Sequence, residues 1–201
     1  MGEIAARRPG RPAAASRRDA VSLARRRFLA GERIDVQAIA RELGLARATM
    51  HRWFGTREQL IGGVVADLGV QRLRALRAAI PGHGARALLA GFDAFNREVA
   101  TAPGLRSLIA HEQELALRIL TAGDGLVQPR LIATVRGLIE AELVDPEFAP
   151  AADPDVLAYA IVRLAEAFLY NDAVIGLRGD TERLRALEAA LLGLGREAAR
   201  G

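Results

Sequence analysis

Between Asp35 and Leu60 the chain reads DVQAIARELGLARATMHRWFGTREQL, a stretch that admits few folds. Val36, Ile39, Ala40 and Leu43 recur at the three-to-four-residue spacing of one helix face, and Asp35 is placed to accept from the free N–H groups at that helix's start. Gly44 can take the left-handed conformation that closes a helix at little steric cost. Ala46 then opens a second short helix, whose inner face takes Leu45, Thr49 or Met50, Trp53 and Phe54 and whose outer face takes Arg47, Ala48, His51 and Arg52. Thr56 and Gln59 form the pair of a capping box, so a third helix follows at once. Two short helices joined by a tight glycine turn make a helix-turn-helix.

Charge separates this part of the chain from the rest. Residues 1–60 carry 13 Arg against 6 Asp and Glu, whereas residues 61–201 carry 15 Arg against 18 Asp and Glu. A basic head suits a polyanion, and a mildly acidic body does not. Every one of the 28 basic residues is Arg; because the bias extends over the acidic body, it fits a GC-rich coding sequence better than phosphate recognition. The absence of cysteine removes disulfides, thiolate metal sites and cysteine nucleophiles. With no apolar run of membrane-spanning length and no signal peptide at its start, the chain is expected in the cytoplasm, away from membranes.

These residues resemble the amino-terminal domain of the tetracycline-repressor (TetR) family. The family's pattern is matched by Ile39-Ala40, Gly44-Leu45, Thr49-Met50-His51-Arg52-Trp53-Phe54 and Thr56-Arg57-Glu58-Gln59-Leu60, and the match covers roughly residues 16–62. The resemblance implies a homodimeric, ligand-responsive transcription regulator, a repressor, acting on a roughly palindromic double-stranded operator. Arg47, Ala48, Thr49, His51, Arg52 and Trp53 would face the DNA, and Arg57 with the free N–H groups at its helix start would clamp a phosphate. Three positions depart from the family: Ala46 replaces a hydroxyl, His51 a tyrosine, and Asp35 a threonine. Hydroxyl–phosphate contacts are therefore missing, and backbone grip shifts to the flanks.

The domain plan is a mobile basic arm (1–15), a helix-turn-helix domain (16–60) and a ligand-binding and dimerisation domain (61–201). In the arm, Arg8 and Arg11 can follow phosphates or enter a narrow minor groove; the plainer reading is a solvated tail. A first helix is predicted from Ser16, boxed by Asp19, to Leu29. From Ile61 onward the pattern is helical throughout, interrupted at Pro81–Gly84, Pro103, Gly123–Gly125, Pro146–Pro150 and Gly176–Gly179. No segment alternates as a strand, so the fold class is all-α with about nine helices, including 85–101, 104–121, 126–143, 154–175 and 181–196.

Glu112 interrupts the apolar stripe of Leu105, Leu108, Leu115 and Ile119, and an acid placed there needs a partner. Tyr159, Arg163, Glu166 and Tyr170 form a polar seam on an otherwise apolar helix. One reading makes a ligand cavity of Phe92, Phe95, Leu108 and Phe168, with Glu112, Arg163, Glu166, Tyr170 and Asn171 supplying hydrogen bonds; the other makes a structural Arg–Glu network or a subunit seam. His111 beside Glu112 lacks further ligands nearby in sequence, so no metal site and no cofactor are expected. Leu184, Leu187, Leu191 and Leu194 with small residues between them suit helix packing, and the resemblance implies a homodimer through the last two helices.

A narrower resemblance is to the quorum-sensing-degradation regulators (QsdR) of actinobacteria. Gly31 to Ala40, His51 to Gly55, Tyr159 to Arg163 and Phe168 to Tyr170 carry it, and it implies a γ-lactone or acyl-lactone effector. Nothing in the sequence supplies the nucleophile, metal set or phosphate loop of an enzyme. The competing reading is a helical interaction module whose degenerate helix-turn-helix no longer binds DNA.

Overall fold

In a computed structural model, residues 15–150, 152–171 and 180–195 are described, the last part of 152–171 by its backbone alone at Asn171. Arg8, Arg11 and the side chain of Asn171 lie outside the described residues. Those residues form ten α-helices and no strand. They are α1 (Arg17–Leu29), α2 (Val36–Glu42), α3 (Arg47–Phe54), α4 (Arg57–Ala79), α5 (Gly84–Thr101), α6 (Pro103–His111), α7 (Gln113–Thr121), α8 (Gln128–Glu142), α9 (Pro154–Glu166) and α10 (Thr181–Leu191). The backbone of α9 widens into a π-helical turn over Ala167–Asn171. No helix among the described residues is long and apolar enough to cross a membrane.

The starts of the head's helices follow the local chemistry of the sequence. Ser16 and Asp19 cap α1 reciprocally, Thr56 and Gln59 do the same for α4, and Asp35 Oδ1 accepts from Gln37 N at 2.8 Å and Ala38 N at 3.2 Å. Those N–H groups hold the Asp35 carboxyl below its usual pKa. Between α2 and α3, Gly44 adopts φ +63° while Leu45 N donates to Ala40 O at 2.8 Å, which closes α2 and turns the chain. Asp153 stands before α9 without a capping hydrogen bond, and Pro154 begins that helix.

Around the first turns of α4, Ala20, Leu23, Ala24 and Phe28 of α1 meet Ile39 and Ala40 of α2 and Met50 of α3. Burying one side chain such as Met50 contributes roughly 1.5–3 kcal/mol, and Leu23, Phe28 and Ile39 are large apolar side chains buried alongside it where the head closes on α4. In the body, Leu73 of α4 joins Leu88, Leu89 and Phe92 of α5, Ile139 of α8, Ile161 of α9 and Leu184 of α10 in the same continuous core. Helix α4 thus belongs to both parts. Arg77, buried within it, bonds to Glu142 and donates to Ile80 O and Gly82 O at 3.0 Å, fastening the turn into α5.

The predicted helix over 104–121 is two helices. Glu112 leaves helical geometry at φ −142°, ψ 52°, and α6 stops there while α7 begins one residue later. This raises the count from about nine to ten. The leucine spacing resumes on the far side of Glu112, which at this break bonds to Arg57 and Arg33.

Candidate DNA-reading face and sensor cavity

The outer face of α3 presents Arg47, Ala48, His51 and Arg52 to solvent, with Thr49 and Trp53 half-buried. Among the described residues Arg47 and Arg52 form no ion pair. His51 Nδ1 donates to Gly55 O at 2.8 Å, and the bond leaves Nε2 of this exposed side chain uncommitted to it. Trp53 meets Phe54 edge to face, with ring centroids 6.2 Å apart, and its carbonyl accepts from Arg17 Nε at 3.4 Å. The Arg17 guanidinium lies 5.1 Å from the Phe54 ring centre. The C-terminal end of α3 is therefore held by α1 while its exposed arginines are left for an anionic partner.

Arg57 is placed differently from the expectation of a free phosphate clamp. Its Nε donates to Ile34 O at 2.5 Å, and its two terminal nitrogens donate to Glu112 Oε2 at 2.6 Å and Oε1 at 2.7 Å. Arg33 adds a longer bond to Glu112 at 3.3 Å. The Arg57 hydrogen bonds, ahead of the nearby positive charge, hold the Glu112 carboxyl below its usual pKa. Arg57 still borders a polar groove of about 440 Å³ that Arg33, Asp35, Gln37, Arg47 and His51 also line.

The proposed ligand residues divide between two places. Leu108 and Glu112 line a space of about 570 Å³ between head and body, together with Phe28, Ile34, Arg57 and His111. Phe92, Phe95, Glu166 and Tyr170 come together instead in the body, in a cavity of about 30 Å³. Phe168 is half-buried beside the core. Arg163 is exposed on the outside of α9 and reaches in to Glu166, donating at 2.6 Å. The seam foreseen from Tyr159 to Tyr170 therefore runs from surface to interior: Tyr159 is 55% exposed and Tyr170 6%. His111 is exposed, its Nδ1 bonded to Ser107 O at 2.9 Å.

Two further residues complete the body cavity. Asn96 of α5 and Glu188 of α10 are buried against each other, the Asn96 amide lying 3.0 and 3.2 Å from the two Glu188 oxygens. A signal for them existed in the sequence. Leu184, Glu188 and Leu192 follow the i, i+4, i+8 stripe of one helix face, and Asn96 lies one turn beyond Phe92. Burial raises the Glu166 carboxyl above its usual pKa against the opposing effect of Gln128 and Arg163, and burial pushes Glu188 up to about 8. The cavity adjoins an apolar groove of about 490 Å³ bounded by Phe28 and Leu29 of α1, Leu68 and Gly69 of α4 and Val99 of α5. Phe95, Leu131 and Tyr170 line both.

A basic, outward-facing α3 on the head and a partly apolar cavity in the helical body are the two parts that a DNA-reading sensor needs. A family model described as "Tetracyclin repressor-like, C-terminal domain" matches residues 83–193. Among solved structures, the transcriptional repressor QsdR of R. erythropolis superposes with a TM-score of 0.81 at 28% identity, covering 90% of this chain and 95% of that one. The TetR-family repressor AlkX of Dietzia sp. strain DQ12-45-1b gives 0.61 at 22% identity, over 89% of this chain and 98% of that one, a likeness of fold. No curated protein matches the chain. The chain belongs to the TetR family, whose members are ligand-responsive, DNA-binding transcriptional regulators and not enzymes.

Proposed function

We propose that this protein is a homodimeric repressor that binds a roughly palindromic operator and leaves it when a small amphipathic effector enters the body. The observation that carries the reading is the α3 face, where Arg47 and Arg52 stand exposed and, among the described residues, in no ion pair. Arginine there suits bidentate recognition of guanine or phosphate, and the outward His51 Nε2 suits an amino group of adenine or cytosine. Thr49 and Trp53 would add close contacts at the groove wall, and Arg8 and Arg11 of the arm would add phosphate contacts. Two such heads on a twofold axis address half-sites about 34 Å apart or somewhat more.

The outer faces of α9 and α10 support the dimer. Val156 and Tyr159 are 58% and 55% exposed and Leu187 is 39% exposed, an apolar surface on the two helices expected to pair across the axis. The effector site is the cavity of Phe92, Phe95, Asn96, Glu166, Tyr170 and Glu188, with the apolar groove beside it taking the ligand's hydrocarbon part. A γ-lactone or acyl-lactone, as the resemblance to quorum-sensing-degradation regulators implies, has the required apolar body and polar end. Because α4 lines that groove and also begins at Arg57 against the head, effector entry biases the position of the heads.

Binding to the DNA flanking the protein's own gene tests the reading. The association constant is expected to fall steeply and log-linearly with salt, as counterions return to the phosphates. Absent or salt-insensitive binding would instead support an interaction module that has lost DNA recognition.

A further inference from the structure

Glu166 and Glu188 face one cavity with 4% and 1% exposure, yet their surroundings differ. Glu166 is compensated: Gln128 Nε2 donates to its two oxygens at 2.8 and 3.0 Å, and the Arg163 guanidinium lies at 2.6 Å. Glu188 is met by the neutral Asn96 amide. Around it, α5 brings Asp93, α10 brings Arg185, and α9 with its π turn brings Glu166 and Tyr170. Asp93 and Arg185 lie 3.5 Å from each other and act on Glu188 in opposite directions. Burial disfavours ionising a carboxyl in such a place, so at neutral pH the group keeps its proton.

A protonated carboxyl is a hydrogen-bond donor, and this one lies where the rest of the lining is largely aliphatic and aromatic. The space is about 30 Å³, enough for a group the size of a water molecule or a carbonyl oxygen. With Glu166 matched by Arg163 and Glu188 neutral, the cavity carries no surplus negative charge to attract a cation. We infer that Glu188 is the residue that reads the effector's polar end, donating its proton in a hydrogen bond to the carbonyl oxygen of an uncharged lactone, ester or ketone whose apolar body lies in the groove between α1, α4 and α5. This rests on the proposed effector site and assigns it a ligand chemistry. No bond is made or broken; the proton stays shared between acid and carbonyl.

Calorimetry on the full chain tests it, with γ-decalactone, the hydrolysis-resistant 2-undecanone, and n-decylamine as probes. From pH 7 to pH 9 the affinity of the two carbonyl compounds is expected to fall about tenfold as Glu188 ionises. At pH 8, titrations in buffers of different protonation heat should show uptake of up to about half a proton per site. Glu188→Gln keeps a donor and should bind the carbonyl compounds with a flat pH profile, while Glu188→Leu should bind them about tenfold more weakly at pH 7. If neither variant folds, the wild-type profile and proton count decide alone. A flat wild-type profile, or tighter binding of decylamine with proton release, overturns the assignment while leaving the cavity as the effector site. Failure of all three probes to bind a chain that still binds its operator overturns the effector site and the assignment together.

Discussion

Arg57, in the first turn of α4, and Glu112, at the break between α6 and α7, are joined by two hydrogen bonds of 2.6 and 2.7 Å across the boundary between head and body. A guanidinium met by both oxygens of one carboxylate is held in plane as well as in place. Glu58, the next residue, accepts from Arg118 of α7 at 3.0 Å, so two consecutive residues of α4 are tied to the same region of the body.

Removing the first tie should loosen the boundary without unfolding either part. Glu112→Gln is expected to lower stability by about 1–2 kcal/mol, since hydrogen bonds to charged groups contribute roughly 1.5–3 kcal/mol and this one is partly exposed. Folded Glu112 has a depressed pKa, so its contribution is present above the ordinary carboxylate pKa and is lost as pH falls through the depressed value. Thermal melts should therefore show the variant below wild type at pH 7 and the difference closing in acid.

DNA recognition should depend on α3 more than on α4. Arg47→Ala combined with Arg52→Ala is expected to abolish preference for the operator over random DNA and to reduce the salt dependence, because bidentate contacts to the wrong base cost about 1–3 kcal/mol each. Arg57→Ala should weaken operator binding less, as its guanidinium is engaged with Glu112 and Ile34 O. Titration of fluorescent operator at several salt concentrations measures both.

Glu188 makes a second pH dependence, of opposite sign. Its folded pKa is raised to about 8 by burial, so the stability it contributes is present in the protonated form and is lost as pH rises from the ordinary carboxylate value through about 8. In the absence of any ligand, the wild-type melting temperature should decline over this interval, and Glu188→Gln should flatten the decline.

Gly104 in the first turn of α6 sits where no side chain fits. A Cβ there would lie 2.2 Å from Phe28 O and 2.9 Å from the Phe28 ring. Gly104→Ala must push α6 away from the end of α1, with an expected loss of about 1–3 kcal/mol from overpacking. Chemical denaturation measures the loss. Altered operator affinity in the same variant would show that this contact sets the position of the head.

Short-range chemistry made the head legible from the sequence. Ser16 with Asp19, Asp35 with its two N–H groups, Gly44 in the turn and Thr56 with Gln59 act over two to five residues, so spacing alone exposes them. The break at Glu112 was not legible, because the partner it meets lies 55 residues away at Arg57 and the leucine spacing resumes beyond it. Of the cavity, Phe92, Phe95, Glu166 and Tyr170 were visible as inward or seam positions. Glu188 was hidden among the leucines of α10: the 184, 187, 191, 194 repeat drew the eye to one edge of the helix, whereas the buried line runs through 184, 188 and 192.

The unequal sizes of the two adjoining spaces have a consequence for what the cell can hear through this protein. The inner one admits little more than a single polar group, while the outer apolar groove is more than ten times larger and open on one side. With the effector in the proposed site, selectivity would be strict about functional group and only graded in chain length, since each extra methylene adds about 0.8 kcal/mol of undirected burial. A regulator so built would respond to a chemical class rather than to one compound.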